Sequence, residues 1–485
     1  MIRIHHGFPR FGKKGVFLLS VLIVFSISIL ATLAPLYAIG LTLSIVFVFI
    51  LFKNLQAALL VSLFFLPLIP GVVELSIGTL PVVTPQRVLL FLLLIFWLMK
   101  KVVTKKPFPR TPLDKFVLFL VIVESLTVIV SIDIGASLFR LIGDIIEYFG
   151  LYYIVVDIIS TREDIRKVVT TLLLGSFVAG SFGVVEALTG VNVFREFLLP
   201  NAAWDWLATY AYVLPTGQNF HRVQGPFGHP IEFGQYIVLL FPIALVAFNN
   251  AATRWKRYGS LLNLILLPSN LVLTIARGAM VGFLASLLLL VARVRRLLIA
   301  AAVVLVAIVV LYLPARNYLS SMGELMFASF STKGPMTSAN VSLVKRMDLL
   351  ETGIQGFRER PVLGYGFNAS RKGLGSDTPF FRRSELYALE NYYLALLIDG
   401  GLVLFISQIL LYVAILANLR VGYSRVHAIN EDKDLLKGLF ASSLGLFVAL
   451  LTVNAYPHIM GLFWVLVALG MRVVMNQESR RDGLV

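Results

Sequence analysis

Apolar runs of helix length follow one another from Val16 almost to the C-terminus, and no feature constrains the fold more. A bilayer core is crossed by a helix of about 20 apolar residues, sometimes as few as roughly 17. A soluble globule cannot bury so many such runs, and they lack the apolar/polar alternation of a membrane β-barrel. Only 14% of the residues are charged. The pattern predicts an all-α polytopic membrane protein. Spans are expected near 15–33, 36–52, 55–72, 88–99, 116–132, 141–159, 168–186, 231–248, 258–274, 278–292, 297–313, 392–418, 438–454 and 459–475. The count is twelve to fourteen, because Pro35 either separates two helices or kinks one. The 88–99 run reaches spanning length only if it starts before Arg87.

Lysines and arginines in short loops mark the cytoplasmic side. One set of helix ends carries Lys13, Lys53, Lys100, Lys101, Arg162, Arg166, Arg254, Lys256, Arg293, Arg420 and Arg425, with others beside them, and this set alternates correctly with fourteen spans. Both termini are then expected in the cytoplasm, and the hydrophilic stretches 187–230 and 314–391 outside. Four regions follow: an N-terminal helix array (1–186), a core with the first outer loop (187–313), a large outer loop domain (314–391), and C-terminal helices with a cytoplasmic tail (392–485). The net charge of +16 is mostly the inner set. It suits anchoring to anionic lipid headgroups, and no compact basic module points to nucleic acid. With no cysteine and six scattered histidines, the sequence offers neither disulfides nor a metal-ligand spacing. No cleavable signal peptide, internal repeat or GxxxxGK[ST] motif is apparent.

Two arginines run against the charge trend. Arg222 in HRVQGPFGHP and Arg277 in TIARGAMVG fall at expected outer ends. Arg222 precedes a rigid Gly/Pro approach to a helix in which Pro230 fits the first turn. It reads either as bonded to backbone carbonyls or lipid phosphate, or as a clamp for a diphosphate or sugar acid, which a guanidinium fork suits. Arg277 sits in a joint of a few residues, where an unpaired charge is costly. A structural carboxylate pair and an anionic ligand are the two readings. Small residues around it permit close helix packing.

In the first outer loop, Trp204 and Trp206 lie in an aromatic stretch that either rests in the membrane interface or stacks on sugar faces. In the second, SLVKRMDLLETGIQGFRERP predicts an amphipathic helix with Leu343, Met347, Leu350, Ile354 and Phe357 on one face. Pro361 ends it, and LGYGF makes a glycine turn. Arg346 lies beside the apolar face, pointing to a site or to solvent. At the mouth of the next span, in LENYYL, come Glu390, Asn391 and Tyr393. Glu390 is either a general base for a hydroxyl or a partner for the arginines. Asp144, Glu147 and Asp157 serve a site, a cation path or helix packing.

In order and spacing, RVQGPFGHPIEFGQYIVLLFP, LTIARGAMVG, the outer-loop GFRERPVLGYGF with Arg346, and ENYYLALLIDGGL resemble the O-antigen ligase/polymerase superfamily of bacterial envelope glycosyltransferases over roughly 218–410. The resemblance implies a GT-C-like helical architecture. It also implies a donor glycan on a polyprenyl diphosphate such as undecaprenyl diphosphate, used at the outer leaflet with no cofactor. Arg222 and Arg277 would bind the diphosphate in catalysis and Arg346 would assist. His221, Asn391, Tyr393, Trp204 and Trp206 are the further substrate-binding candidates. Family ligases commonly carry histidine before the asparagine of the last motif. Here Glu390 stands there, which tilts the expectation towards a polysaccharide polymerase with Glu390 as base. An acceptor hydroxyl would displace the diphosphate in one inverting step, with arginines supplying charge that a metal otherwise supplies. Donor and acceptor are both expected to be lipid-linked oligosaccharides, and a chain-length-regulating co-polymerase is an implied partner. The alternatives are a ligase moving a finished glycan to an envelope acceptor, and a lipid-linked sugar transporter or flippase. Against the last stands the absence of repeated halves with broken helices.

Overall fold

The structure, a computed structural model, describes residues 35–71, 84–198, 212–213, 219–290, 338–371, 389, 391–425 and 430–481. The spans expected at 15–33 and 297–313 lie outside these residues, as do Trp204, Trp206 and Glu390. The chain divides into two compact units, Met1–Val61 and Ser62–Val485. In the first, helix α1 (Pro35–Lys53) is almost wholly apolar. Asn54 ends it and starts α2 (Leu55–Phe65), its side-chain oxygen accepting from the amides of Gln56 and Ala57.

The second unit holds the remaining helices. Helix α3 (Pro85–Thr104) is capped by Thr84, which accepts from the Arg87 amide, with proline in the first turn. It thus begins before Arg87, which gives the short run its length. Then come α4 (Asp114–Ile129), α5 (Ile134–Asp144), a π-helical turn (Ile145–Gly150) and α6 (Leu151–Ile158). Helix α7 (Arg162–Thr189) opens on a capping box made by Thr161 and Asp164 and closes at left-handed Gly190. After it lie a second π turn (Phe194–Leu198) and two paired two-residue strands, Tyr212–Val213 and Asn219–Phe220, antiparallel with Tyr212 opposite Phe220.

Helices α8 (Pro230–Asn249), α9 (Arg254–Thr274) and α10 (Arg277–Leu290) follow, then α11 (Ser338–Glu359), α12 (Tyr392–Ser424), α13 (Asn430–Ala449) and α14 (Pro457–Arg481). Among the described residues, α7, α8, α12 and α14 are long and apolar enough to cross a bilayer. Helices α8 and α14 are buried over most of their length. Helix α13 packs on α8, α10 and α12, and α12 also packs on α4. Outward faces stay apolar: Ile129, Leu174, Leu288 and Val413 are all exposed, as lipid-facing residues are and a soluble surface is not. The protein is an α-helical polytopic membrane protein.

Two expectations need correcting. The last long span is not continuous. Helix α12 leaves helical geometry at Gly400 and Gly401, and the freed backbone groups bond to the loop domain: Leu402 N to Pro361 O at 2.8 Å, Tyr365 N to Ile398 O at 2.8 Å and Gly366 N to Asp399 O at 2.9 Å. Non-helical backbone is tolerated at such depth only when protein satisfies it. The buried face of α11 also differs. Leu350 and Ile354 are 46% and 40% exposed, while Leu349 is 4% exposed. The buried stripe runs through Leu349, Gly353 and Gly356, because Gly353 admits the side chain of Leu394 from α12. Larger residues on the expected face cannot allow so close an approach. The residues Leu343 and Met347 fall where only the helix itself is described.

Asp144, Glu147 and Asp157 each face a cation. Asp144 pairs with Arg140 at 2.9 Å, Glu147 with Arg87, and Asp157 with Lys101 at 2.6 Å. Lys101–Asp157, Arg162–Asp432 and Arg425–Glu478 knit one end of the bundle. Arg222, Arg277 and Asn391 lie away from that set, at the ends where α8, α10, α12 and α14 begin.

Candidate functional site

The segment 221–229 is held by one buried carboxylate. Glu186, near the end of α7, is 1% exposed. Its Oε2 accepts from the Gly225 amide at 2.7 Å, the Gln224 amide at 3.2 Å and Asn192 Nδ2 at 3.0 Å, and its Oε1 meets His221 Nε2 at 2.8 Å. Asn192 also donates to the Gly225 carbonyl. A buried carboxylate needs such a full set of donors. Helix α8 then starts cleanly, with His229 Nδ1 accepting from the Ile231 amide, Pro230 in the first turn, and Glu232 accepting from the Gly228 amide.

The anchored segment runs along the C-terminal end of α9. Val223 N donates to Leu273 O at 3.2 Å, and Arg222 Nε donates to Thr274 O at 2.9 Å. Carbonyls of a last helical turn lack helical partners and carry the negative end of the dipole, so a cation is stabilised there. Arg222 is 5% exposed. Three residues after Thr274, Arg277 opens α10. The turn between them puts Ile275 at φ 49°, a left-handed conformation that a β-branched residue adopts only under strain of about 1–3 kcal/mol. Gly234 of α8 leaves room for Ala276 and Ala279. One tight corner thus brings the anchored Arg222 and the half-buried Arg277 together.

The turn 450–456, between α13 and α14, joins this corner to the mouth of α12. Gly278 of α10 packs on Thr452, and Gly282 packs on Gly445. Tyr392 N donates to Leu450 O, and Asn391 Nδ2 to Leu451 O at 2.7 Å. Asn454 Nδ2 donates to Leu389 O at 3.1 Å, while its own carbonyl accepts from Gln235 Nε2 at 2.8 Å. His229 stacks on Tyr456. The N-termini of α8, α10, α12 and α14 therefore meet around one turn. Asn391 caps α12 by accepting from the Leu394 amide, and Tyr393 donates to the Phe447 carbonyl at 2.9 Å. In the structure these two side chains hold helices together.

The loop domain closes over the far side of α12. Tyr365 donates to Glu359 at 2.6 Å and lies beneath Arg360. Burial, reinforced by the bond to Glu359, raises its phenol above the ordinary range and keeps it protonated. Gly364 has φ 62°, and a Cβ there would strike the Ile398 carbonyl. Ser137 Oγ donates to Phe367 O at 2.5 Å.

Arg222, Arg277 and His221 are thus brought to one neighbourhood, and Asn391 and Tyr393 to the adjoining helix mouth. Arg346 belongs to α11, placed there by its backbone. Sequence reasoning passed over Glu186, Gln235 and Asn454, which position the others. A lone buried carboxylate at the end of an apolar run is the signal that marks Glu186.

Residues 262–409 match the family described as O-antigen ligase. No curated protein matches the chain. The matched segment covers under a third of the chain and includes the Arg277 corner, α11 and the first half of α12. It supports assignment of this membrane protein to the O-antigen ligase/polymerase superfamily.

Proposed function

We propose that the protein is a membrane glycosyltransferase that moves a glycan from a polyprenyl-diphosphate carrier to a hydroxyl of an envelope acceptor at the extracytoplasmic face. The observation that carries the reading is the gathering of four helix N-termini around the turn 450–456, with Arg222 bonded to the Thr274 carbonyl three residues before Arg277. Positive helix ends and guanidinium groups favour a dianionic leaving group. The family match favours transfer of a finished glycan over the polymerisation put first by sequence reasoning.

In the step itself, the acceptor oxygen bonds to the anomeric carbon as the bond from that carbon to the diphosphate breaks. Arg222 and Arg277 stabilise the charge gathering on the departing diphosphate. The acceptor proton goes to Glu390, and one displacement inverts the anomeric centre. Glu390, in the place where family ligases commonly carry histidine, keeps polymerisation as the second reading. Purified protein in lipid, given native lipid-linked oligosaccharide and candidate acceptors, separates the two by product mass. A single transfer to a different acceptor means ligase, and a ladder spaced by one repeat unit means polymerase. Lipid-linked sugar that crosses the bilayer with no covalent change would contradict both.

A further inference from the structure

A second polar feature adjoins the mouth of α12. It is a cavity of about 60 Å³ between α4, the α5–π–α6 helix, α12, α14 and loop residues 367–370. Its charged wall is Glu124, Arg140, Asp144 and Asp399. Arg140 is committed to Asp144 at 2.9 Å and to the Tyr148 hydroxyl at 2.9 Å. Asp399 Oδ1 accepts from the Ser370 amide at 2.6 Å. Two atoms stand out. Glu124 is 5% exposed and its Oε2 has no partner among the described residues; Ser370 is 5% exposed and its Oγ has none among them either. Unpartnered buried polar atoms are few in native proteins, and each costs about 1–3 kcal/mol, more when charged. Asn368, which also lines the cavity, is held at φ 69°.

The lining selects the ligand. The one guanidinium is taken up by Asp144 and Tyr148, so the wall offers a diphosphate no cation and the cavity does not extend the arginine corner. Among the described residues no group of three or more metal-ligating side chains has the spacing to hold an ion. Hydroxyl groups fit: a carboxylate accepts from two of them, and a serine hydroxyl both donates and accepts. At about 10–15 Å³ of such space per water, the cavity admits several water-sized groups, room for sugar hydroxyls that replace ordered waters. Trp464, Phe149 and Phe367 supply apolar walls for sugar C–H groups. The cavity also shares Tyr392 and Asn454 with the mouth of α12.

We propose that this cavity is the acceptor subsite, taking a pair of hydroxyls on the acceptor glycan, with Glu124 and Ser370 as the groups that receive them. The assignment of the sugar as acceptor rests on the transferase reading above; the binding itself does not. The test uses the full chain in nanodiscs. The probes are the oligosaccharides released by mild acid from the source envelope's acceptor glycan and from its lipid-linked intermediate, each followed by saturation-transfer NMR, and farnesyl diphosphate as a donor-side ligand. Glu124→Gln, which keeps the shape, is expected to weaken oligosaccharide binding about tenfold, the equivalent of one hydrogen bond. Ser370→Ala is expected to weaken it by a smaller factor. Farnesyl diphosphate affinity is expected to be unchanged in both. In the transfer assay, acceptor KM rises in Glu124→Gln while donor KM does not. Oligosaccharide binding that is absent in the wild type, or within twofold of wild type in both variants, overturns the subsite. Glu124-dependent binding without any transfer by the wild type upholds the sugar subsite and overturns the transferase reading.

Discussion

At the residue scale, the arginine corner and its support make separable predictions. Arg277 opens α10 beside a strained turn, and the diphosphate clamp proposed for it needs the guanidinium. Arg277→Ala is expected to lower the transfer rate by about 10²–10³-fold, the usual effect of removing a donor to developing negative charge. Arg277→Lys should recover only part of it, because a lysine lacks the planar fork. Single-turnover product formation, with expression and monodispersity checked, reads both. Glu186 acts at one remove, since it bonds the backbone of the segment that carries Arg222. Glu186→Ala leaves those amides buried without an acceptor, at a cost on the order of 1.5–3 kcal/mol. Its expected signature is a lower melting temperature together with a weaker donor interaction. An Arg222 variant should lose the donor interaction with less thermal effect. The outlying arginines were legible in the sequence because they broke a charge rule. Glu186 and Asn454 were not, because their roles exist only once α7, the 221–229 segment and the turn 450–456 are packed together.

At the element scale, the informative helix is α12. Its apolar run reads as one long span, and mean hydropathy cannot reveal a break whose backbone groups are satisfied by a distant segment. The dipeptide Gly400–Gly401 was the local signal. Gly401 has φ 60°, and a Cβ there would collide with the Val362 carbonyl. Gly401→Ala is therefore expected to cost about 1–3 kcal/mol or more and to loosen residues 361–366 from the helix. Hydrogen exchange at Tyr365 and Gly366 measures this directly: faster exchange confined to that segment is the expected result, and unchanged protection would contradict the docking described. The amphipathic helix α11 was legible in extent, ending before Pro361. Its buried face was not, because periodicity counts apolar residues and here a glycine makes the contact.

At the scale of the whole molecule, helical class and membrane residence followed from the apolar runs alone, and of the motifs that resemble the O-antigen ligase/polymerase superfamily those from Arg277 onward fall within the matched segment 262–409. The spatial gathering of four helix N-termini at the turn 450–456 was not legible, because it depends on which helices become neighbours. That gathering divides the site into an arginine side suited to a diphosphate and an acidic cavity suited to hydroxyls, with the mouth of α12 between them. Charge separated in this way is expected to make donor and acceptor binding independently mutable, which steady-state kinetics with each substrate varied in turn would show. The most direct test of the central claim is a single-turnover experiment on purified wild type and Arg277→Ala in lipid, with radiolabelled lipid-linked oligosaccharide as donor and products read by gel and mass. The account predicts covalent transfer of the labelled glycan by the wild type, with release of polyprenyl diphosphate, and a loss of at least about a hundredfold in the variant. Equal rates in the two proteins, or label that never leaves its lipid, would contradict it.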